Sequence, residues 1–220
     1  MLDRPMRALI ARPTDALARA LDRPGITPDG LTVAGLMIGL ASAVFAGLQW
    51  WAAALVLWLL SRVVDGVDGA LARRRRAAPA GSPAAQVGES PGTPHSEAGG
   101  FLDITADFVV YGATVIGVAV GATTAFDAPW WPFLAVLFAY YINGAAFLAF
   151  SSIAERTGRQ LDDGRSLSFL GRIAEGTETI VVHALWLILP FWAAPIAVGW
   201  AALVGVSAVQ RMVAGYRALR

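Results

Sequence analysis

Two short segments rich in aspartate hold most of the side chains in this sequence that are suited to chemistry. The first reads Asp65-Gly-Val-Asp68-Gly69-Ala-Leu-Ala72-Arg73, and the second reads Gly99-Gly-Phe-Leu-Asp103-Ile-Thr-Ala-Asp107. Residues three and four apart share one face of an α-helix. Each segment therefore predicts a helix that presents two carboxylates on the same side.

Carboxylates at Asp65, Asp68, Asp103 and Asp107 would repel one another in a low-dielectric region, and divalent cations are the usual counter-charge. The chain has no cysteine, so the donors are oxygen atoms, which suit Mg²⁺ or Mn²⁺. Four carboxylates can hold two ions roughly 3.5–4 Å apart, an arrangement that serves phosphoryl transfer.

The small residues and the arginine of the first segment suggest a binding surface beside the carboxylates. Gly69 and Ala72 would let a flat group such as a nucleobase approach the helix backbone. Arg73 would pair with a phosphate through two parallel hydrogen bonds. The segment thus combines groups for a metal ion, a base and a phosphate.

The helices that position these segments are predicted to cross a membrane. Hydrophobic residues make up 56% of the 220 residues and charged residues 15%, a balance that a water-exposed globule does not carry. A span needs roughly 20 apolar residues, and six stretches qualify: 31–48, 50–70, 101–122, 130–152, 174–190 and 193–213. We predict an all-α integral membrane bundle of six transmembrane helices.

The positive charges predict the orientation of this bundle. All 17 basic residues are arginine, and they concentrate in residues 1–30, 73–76, 156–172 and 211–220, whereas the three intervening short loops contain none. Since positive loops stay in the cytosol, both termini and both aspartate segments are predicted to face the cytosol. A single aspartate pair is commonly a solvated face, but two pairs at one membrane depth on consecutive helices favour a site.

The remaining segments are interpreted from their composition. Residues 1–30 are predicted to form an N-terminal cytosolic or interfacial segment with a short interfacial helix at 13–24, and residues 31–220 to form the transmembrane catalytic domain. The tract 74–98 is rich in Ala, Gly, Pro and Ser. This composition predicts a flexible cytosolic loop insertion.

The two aspartate segments resemble the signature of the CDP-alcohol phosphatidyltransferases, D-x-x-D-G-x-x-A-R followed by G-x-x-x-D-x-x-x-D. All eight fixed positions match, and the spacer between the segments is longer than that family usually has. The resemblance implies a membrane enzyme with a cytosolic active site. It would transfer a phosphatidyl or related group from a CDP-linked donor, such as CDP-diacylglycerol, to an alcohol and release CMP.

The resemblance also implies a role for each matching residue. Asp65, Asp68 and Asp103 would ligate two metal ions, while Asp107 would contact metal and act as the general base. The CDP donor would bind at Asp68, Gly69, Ala72, Arg73, Gly99 and Pro28, the last of these belonging to Thr27-Pro28-Asp29, which resembles a family element near the donor site.

Two sets of residues are candidates for binding the acceptor alcohol. Arg156, Arg165 and Arg172 would suit a phosphorylated polyol, whereas Glu175 and Glu178 would suit hydroxyl groups or an amine. The arginines also have a simpler explanation as positive-inside charge, and the glutamates as partners of loop arginines. The density of arginine favours a phosphorylated polyol.

Two other functions stay open from the sequence alone. A membrane prenyltransferase also uses paired aspartate segments with Mg²⁺, but it lacks the G-x-x-A-R that follows the first pair here. A small ion-coupled transporter would place its acids near the middle of the bilayer. The expected partners are the CDP-linked donor, the alcohol acceptor and membrane lipids, without nucleic acid, and a homodimer is compatible with the sequence.

Overall fold

Every regular element in the described part of the chain is helical. The computed structural model describes residues 3–77, 95–157 and 176–220, and the side chains of residues 11–77, 98–157 and 176–220. These ranges contain seven α-helices and one short 3₁₀ helix at Pro190–Trp192. The α-helices are α1 (Asp3–Leu21), α2 (Pro28–Gly47), α3 (Trp51–Arg76), α4 (His95–Phe126), α5 (Trp131–Arg156), α6 (Gly176–Ile188) and α7 (Ala193–Leu219). The predicted all-α class is confirmed for the described residues.

Four helical segments are long and apolar enough to cross a membrane, namely Pro28–Gly47, Ala98–Phe126, Trp131–Arg156 and Pro190–Leu219. They match four of the six predicted spans. The other two predicted spans correspond to α3 and α6. α3 has 26 residues but carries charged side chains in its apolar stretch, and α6 has 13 residues. The six-span count stays a prediction.

The N-terminal helix is longer than the predicted 13–24. α1 runs from Asp3 to Leu21 and passes through Pro13. Within a helix, a proline removes one backbone donor and its ring crowds the carbonyl four residues earlier, so the residues before Pro13 were not expected to be helical. α1 ends at Leu21 because Asp22 leaves the helix and accepts hydrogen bonds from α3.

The predicted loop 74–98 is helical at both ends, which corrects its boundaries. α3 continues to Arg76, and α4 already begins at His95. Arg74 and Arg75 belong to the last turn of α3, and both donate to Asp22, so this turn is anchored rather than free. Residues 78–94 of the predicted loop lie outside the described residues.

The described residues divide into two compact units, one within Arg4–Gly121 and the other within Ala122–Arg220. In the first unit, α4 approaches α2 closely at two glycines. A Cβ at Gly117 would collide with the carbonyl of Ala43, and one at Gly121 with the carbonyl of Ala46. Small residues allow helices in membranes to approach in this way, and this contact helps to set the position of α4 relative to α2.

Within the first unit, α1 packs against α2 and α3. Ala18 of α1 packs with Val67, Ala70 and Leu71 of α3, and Leu21, Ile26 and Leu31 pack against this cluster. Val67, Ala70 and Leu71 belong to the first aspartate segment and alternate along α3 with Asp65, Asp68 and Gly69. The apolar face of α3 therefore binds α1 and α2, while another face of the same turns carries the aspartates.

In the second unit, α5 packs along α7, and α6 contributes two large buried side chains. Trp186 and His183 of α6 are fully buried. The Tyr140 hydroxyl lies 2.9 Å from His183 Nε2 and accepts a 2.7 Å hydrogen bond from Trp200. His183 is thus a packed polar residue that links α5, α6 and α7.

Candidate active site

Three of the four predicted metal-binding carboxylates converge within the first unit. Asp65 and Asp68 lie one turn apart on α3, and Asp103 lies on α4, about one turn after Gly99. One carboxylate oxygen from each of these residues lies within 4.8 Å of the other two. Asp68 is 5% exposed. The structure therefore brings together two helices that the sequence predicted to face each other.

The fourth carboxylate, Asp107, lies beside this group and is engaged by an arginine. Arg62 Nη1 donates to Asp107 Oδ1 at 2.5 Å, and the same nitrogen lies 3.7 Å from Asp65 Oδ1. Asp65 and Asp107 therefore share one guanidinium. The aspartates form a group of three converging carboxylates and an adjacent carboxylate, Asp107, that accepts a hydrogen bond from Arg62.

A threonine of α2 fixes one of the three converging carboxylates. The Thr32 hydroxyl donates to Asp68 Oδ2 at 2.5 Å, and it lies 3.2 Å from the carbonyl of Pro28. Thr32 is positioned by the start of α2, where Thr27 caps the helix by accepting a hydrogen bond from Gly30 N at 3.0 Å. The Thr27-Pro28-Asp29 element thus acts on the aspartates through the helix turn that it begins.

The residues predicted to bind the donor belong to α2, α3 and α4. A Cβ at Gly69 would lie 3.2 Å from Arg73 Nη1, so the guanidinium of Arg73 lies over the glycine. A Cβ at Gly99 would lie 3.0 Å from the Asp29 carboxylate. Arg73 is exposed, and Pro28, Gly69 and Ala72 are half-buried. This arrangement leaves an exposed cation next to backbone that carries little or no side chain.

The end of α3 is held in place by an ion-paired carboxylate from the α1–α2 connection. Asp22 accepts from Arg74 Nε at 2.9 Å and from Arg75 Nε at 3.0 Å, and the Arg75 side chain is 5% exposed. Burial raises the pKa of the Asp22 carboxyl, but the hydrogen bonds from Arg74 and Arg75 outweigh it, so the pKa lies below its ordinary value of 3.8. This contact fixes the turn that carries Arg73.

Two residues of this site were missed by the sequence reasoning. Arg62 stands three residues before Asp65, and as an arginine well inside the predicted span 50–70 it carried a signal that could have identified it. Thr32 carried no such signal, because it lies 36 residues from Asp68. Only the packing of α2 against α3 reveals this pair.

The donor set fits a hard divalent cation. The three converging side chains offer carboxylate oxygens, the ligands that Mg²⁺ and Mn²⁺ prefer. Their ligand atoms are close enough to one another to share one ion. Metal ligands are commonly oriented by hydrogen bonds from neighbouring side chains, and the bond from Thr32 to Asp68 is suited to this role.

The acceptor candidates are only partly within the described residues. Arg156 is the last residue of α5 and is exposed, and Glu178 lies half-buried in the first turn of α6. Arg165, Arg172 and Glu175 lie outside the described residues. The structure therefore does not test whether the two sets form a binding pocket.

Comparison with known proteins is consistent with this geometry. Residues 25–80 match the family model described as CDP-alcohol phosphatidyltransferase. The inner membrane protein YnjF of Escherichia coli is 38% identical over 226 residues, an alignment that covers 100% of this chain and 98% of YnjF. The archaetidylinositol phosphate synthase of Pyrococcus horikoshii is 28% identical over 138 residues, which is 63% of each chain.

The fold is also that of a solved enzyme. The phosphatidylinositol phosphate synthase PgsA1 of Mycobacterium tuberculosis, crystallised with manganese and citrate, superposes with a TM-score of 0.62 at 22% sequence identity. The match covers 94% of this chain and 88% of PgsA1. From the end-to-end relative, the matching family model and the four apolar helices, the chain is an integral membrane protein that belongs to the CDP-alcohol phosphatidyltransferases, enzymes that transfer substituted phosphate groups.

Proposed function

We propose that this enzyme transfers a phosphatidyl group from CDP-diacylglycerol to an alcohol and releases CMP. The observation that carries the proposal is the convergence of Asp65, Asp68 and Asp103 beside Asp107, next to the exposed Arg73. Support for the donor comes from PgsA1, which has also been crystallised with CDP-DAG bound and superposes with a TM-score of 0.59. The prenyltransferase and transporter alternatives are not favoured by the family membership.

Each side chain of the site has a defined task in this reaction. Asp65, Asp68 and Asp103 would hold Mg²⁺ or Mn²⁺, with Asp107 contributing to a second ion. When bound, the cations neutralise charge on the diphosphate of the donor. Arg73, whose guanidinium lies over Gly69, would pair with a donor phosphate. Gly69, Ala72, Gly99 and Pro28 would form the wall against which the CDP portion rests.

The chemical step needs a base for the acceptor hydroxyl, and we assign this role to Asp107. Its carboxylate takes the proton as the hydroxyl oxygen attacks the phosphorus bonded to the diacylglycerol oxygen. The bond from this phosphorus to the bridging oxygen breaks, and CMP leaves with the electron pair. Since Arg62 holds Asp107 Oδ1, Oδ2 is the oxygen that we assign to the proton.

The orientation follows from the distribution of arginine. We propose six membrane crossings, with both termini and the aspartate site at the cytosolic face and residues 31–220 as the catalytic domain. A helix of 26 residues such as α3 is about 39 Å long. This length suffices to cross the hydrocarbon core of about 30 Å while its last turns reach the headgroups.

For the acceptor, we propose a phosphorylated polyol. The segment 156–172 contains four arginines, and two relatives are named for phosphoinositol products, the archaetidylinositol phosphate synthase and PgsA1. Replacing Arg156, Arg165 or Arg172 singly by Gln should then raise the KM of the acceptor with donor KM unchanged. If Glu175→Gln or Glu178→Gln raises it instead, the acceptor is an uncharged polyol or an amino alcohol, because carboxylates repel phosphate.

The decisive experiment is an acceptor panel with CDP-diacylglycerol and purified enzyme in lipid nanodiscs. CMP release and product lipid mass are measured for glycerol phosphate, inositol phosphate, inositol, glycerol and ethanolamine, with and without chelator. We expect metal-dependent release of CMP with one of the phosphorylated polyols. The same assay is run on Asp103→Asn, which alters one of the three converging carboxylates. Its control is Asp15→Asn, which alters an exposed acid of α1. Undiminished CMP release in excess chelator would contradict the proposed metal dependence.

A further inference from the structure

Arg62 is a buried cation inside the carboxylate cluster. It belongs to α3, one turn before Asp65, and 6% of its side chain is exposed. Its Nη1 lies 2.5 Å from Asp107 Oδ1 and 3.7 Å from Asp65 Oδ1. A guanidinium keeps its charge at any pH that the protein meets. The cluster therefore contains a permanent positive charge before any metal ion binds.

The guanidinium is held where it is by groups other than the carboxylates. Its central carbon lies 5.2 Å from the ring centres of both Trp58 and Tyr111. Its Nη2 donates to Ser61 Oγ at 3.0 Å, and the Ser61 hydroxyl donates to the carbonyl of Gly35 at 2.8 Å. Aromatic faces and a fixed hydroxyl favour a cation at this position. The packing of α3 therefore holds the guanidinium of Arg62 in place independently of the carboxylates.

The charges divide the four carboxylates into unequal groups. The oxygens of Asp65, Asp68 and Asp103 lie within reach of one common ion, whereas Asp107 accepts a hydrogen bond from Arg62 at 2.5 Å, a shorter distance than the 3.7 Å between Arg62 and Asp65. With all four carboxylates ionised, they and Arg62 carry three net negative charges. One divalent ion leaves a single negative charge, and a second would make the cluster positive in a region where charges interact strongly.

We propose that Arg62 makes the two cation positions unequal: a strong one at Asp65, Asp68 and Asp103, and a weak one at Asp107, where the guanidinium competes with the second ion. This inference rests on the proposed metal-dependent function and deepens it. Arg62 acts through Asp107 as a positioning residue. Arg62 holds the Asp107 carboxylate in place when a single ion is bound, and it lowers the affinity of the enzyme for a second ion.

The test counts bound Mn²⁺ directly. Metal-stripped enzyme in nanodiscs is titrated with Mn²⁺, and the free ion is read by electron paramagnetic resonance. For the wild-type chain we expect one tight and one weak class of ion. In Arg62→Gln the weak class should tighten at least tenfold while the tight class changes little. Arg62→Lys retains a charge and should keep the weak class near its wild-type affinity. Arg19→Gln removes an exposed arginine of α1 and controls for total charge.

A second variant keeps the proposal testable if Arg62→Gln does not fold. Asp107→Asn should remove the weak class and leave the tight class at its wild-type affinity. Two equal classes in the wild-type chain, or an unchanged weak class in Arg62→Gln, would overturn the role of Arg62 and leave the proposed function standing. A wild-type chain that binds no Mn²⁺ would overturn the metal-dependent function itself, and the inference with it.

Discussion

The hydrogen bond from Thr32 to Asp68 provides a sharp test of how α2 supports the site. Thr32→Val replaces the hydroxyl by a methyl group of nearly the same size, so the packing of α2 is retained. Both residues are 5% exposed, and the bond that is lost is 2.5 Å long and ends on a carboxylate. Bonds of this type contribute about 1.5–3 kcal/mol, which corresponds to roughly a 10- to 150-fold change in an equilibrium constant.

This range agrees with the effect of removing a group that orients a metal ligand, about 10- to 100-fold in metal affinity or activity. We therefore expect Thr32→Val to weaken the tight binding of Mn²⁺ by one to two orders of magnitude and to lower CMP release at limiting metal. Excess Mn²⁺ should restore part of the rate, since the carboxylate itself is still present.

The matched control is Thr32→Ser, which keeps the hydroxyl and removes the methyl group. It should bind Mn²⁺ within about threefold of the wild-type affinity, because the charge-assisted bond is retained. The reasoning is refuted if the valine variant binds Mn²⁺ like the wild-type chain. It is equally refuted if the serine variant loses as much affinity as the valine variant, since packing of the methyl group would then be the cause.

Three further predictions concern the base, the end of α3 and the insertion. Asp107→Asn should lower CMP release by about 10²- to 10⁴-fold, with Asp15→Asn as control; a loss below tenfold would exclude Asp107 as the base. Asp22→Asn should reduce stability by about 1.5–3 kcal/mol at pH 7, followed by tryptophan fluorescence during thermal unfolding. Because the pKa of Asp22 is lowered on folding, its contribution is present above its unfolded pKa and is lost as pH falls through the folded one; equal acid sensitivity of both proteins would contradict this. Deleting residues 78–93, which keeps Arg75 on Asp22, should leave the rate of CMP release within about threefold of wild type, whereas loss of Mn²⁺ binding would show that the tract shapes the site.

The sequence alone was sufficient to predict the all-helical class of the fold and three carboxylates that converge in the structure. Residues three and four apart on a helix share a face whatever the tertiary structure, so spacing already placed Asp65 with Asp68 on one side of α3, and Asp103 with Asp107 on one side of α4. Apolar stretches of about 20 residues predicted six spans, and four of these stretches form helices that are long and apolar enough to cross a membrane. Both signals are local, which is why they can be read without coordinates.

The tertiary structure decided which of these groups meet. Thr32 lies 36 residues from Asp68, and Arg62 lies 45 residues from Asp107, so neither pair follows from helical periodicity. Both contacts depend on the position of each helix along the axis of its neighbour. The close approach of Gly117 to the carbonyl of Ala43 helps to set this position for α4 and α2. Helical spacing does not distinguish the four aspartates from one another. The packing of α2, α3 and α4 does, because the buried guanidinium of Arg62 contacts Asp107 and Asp65. The hydroxyl of Thr32 contacts Asp68 instead.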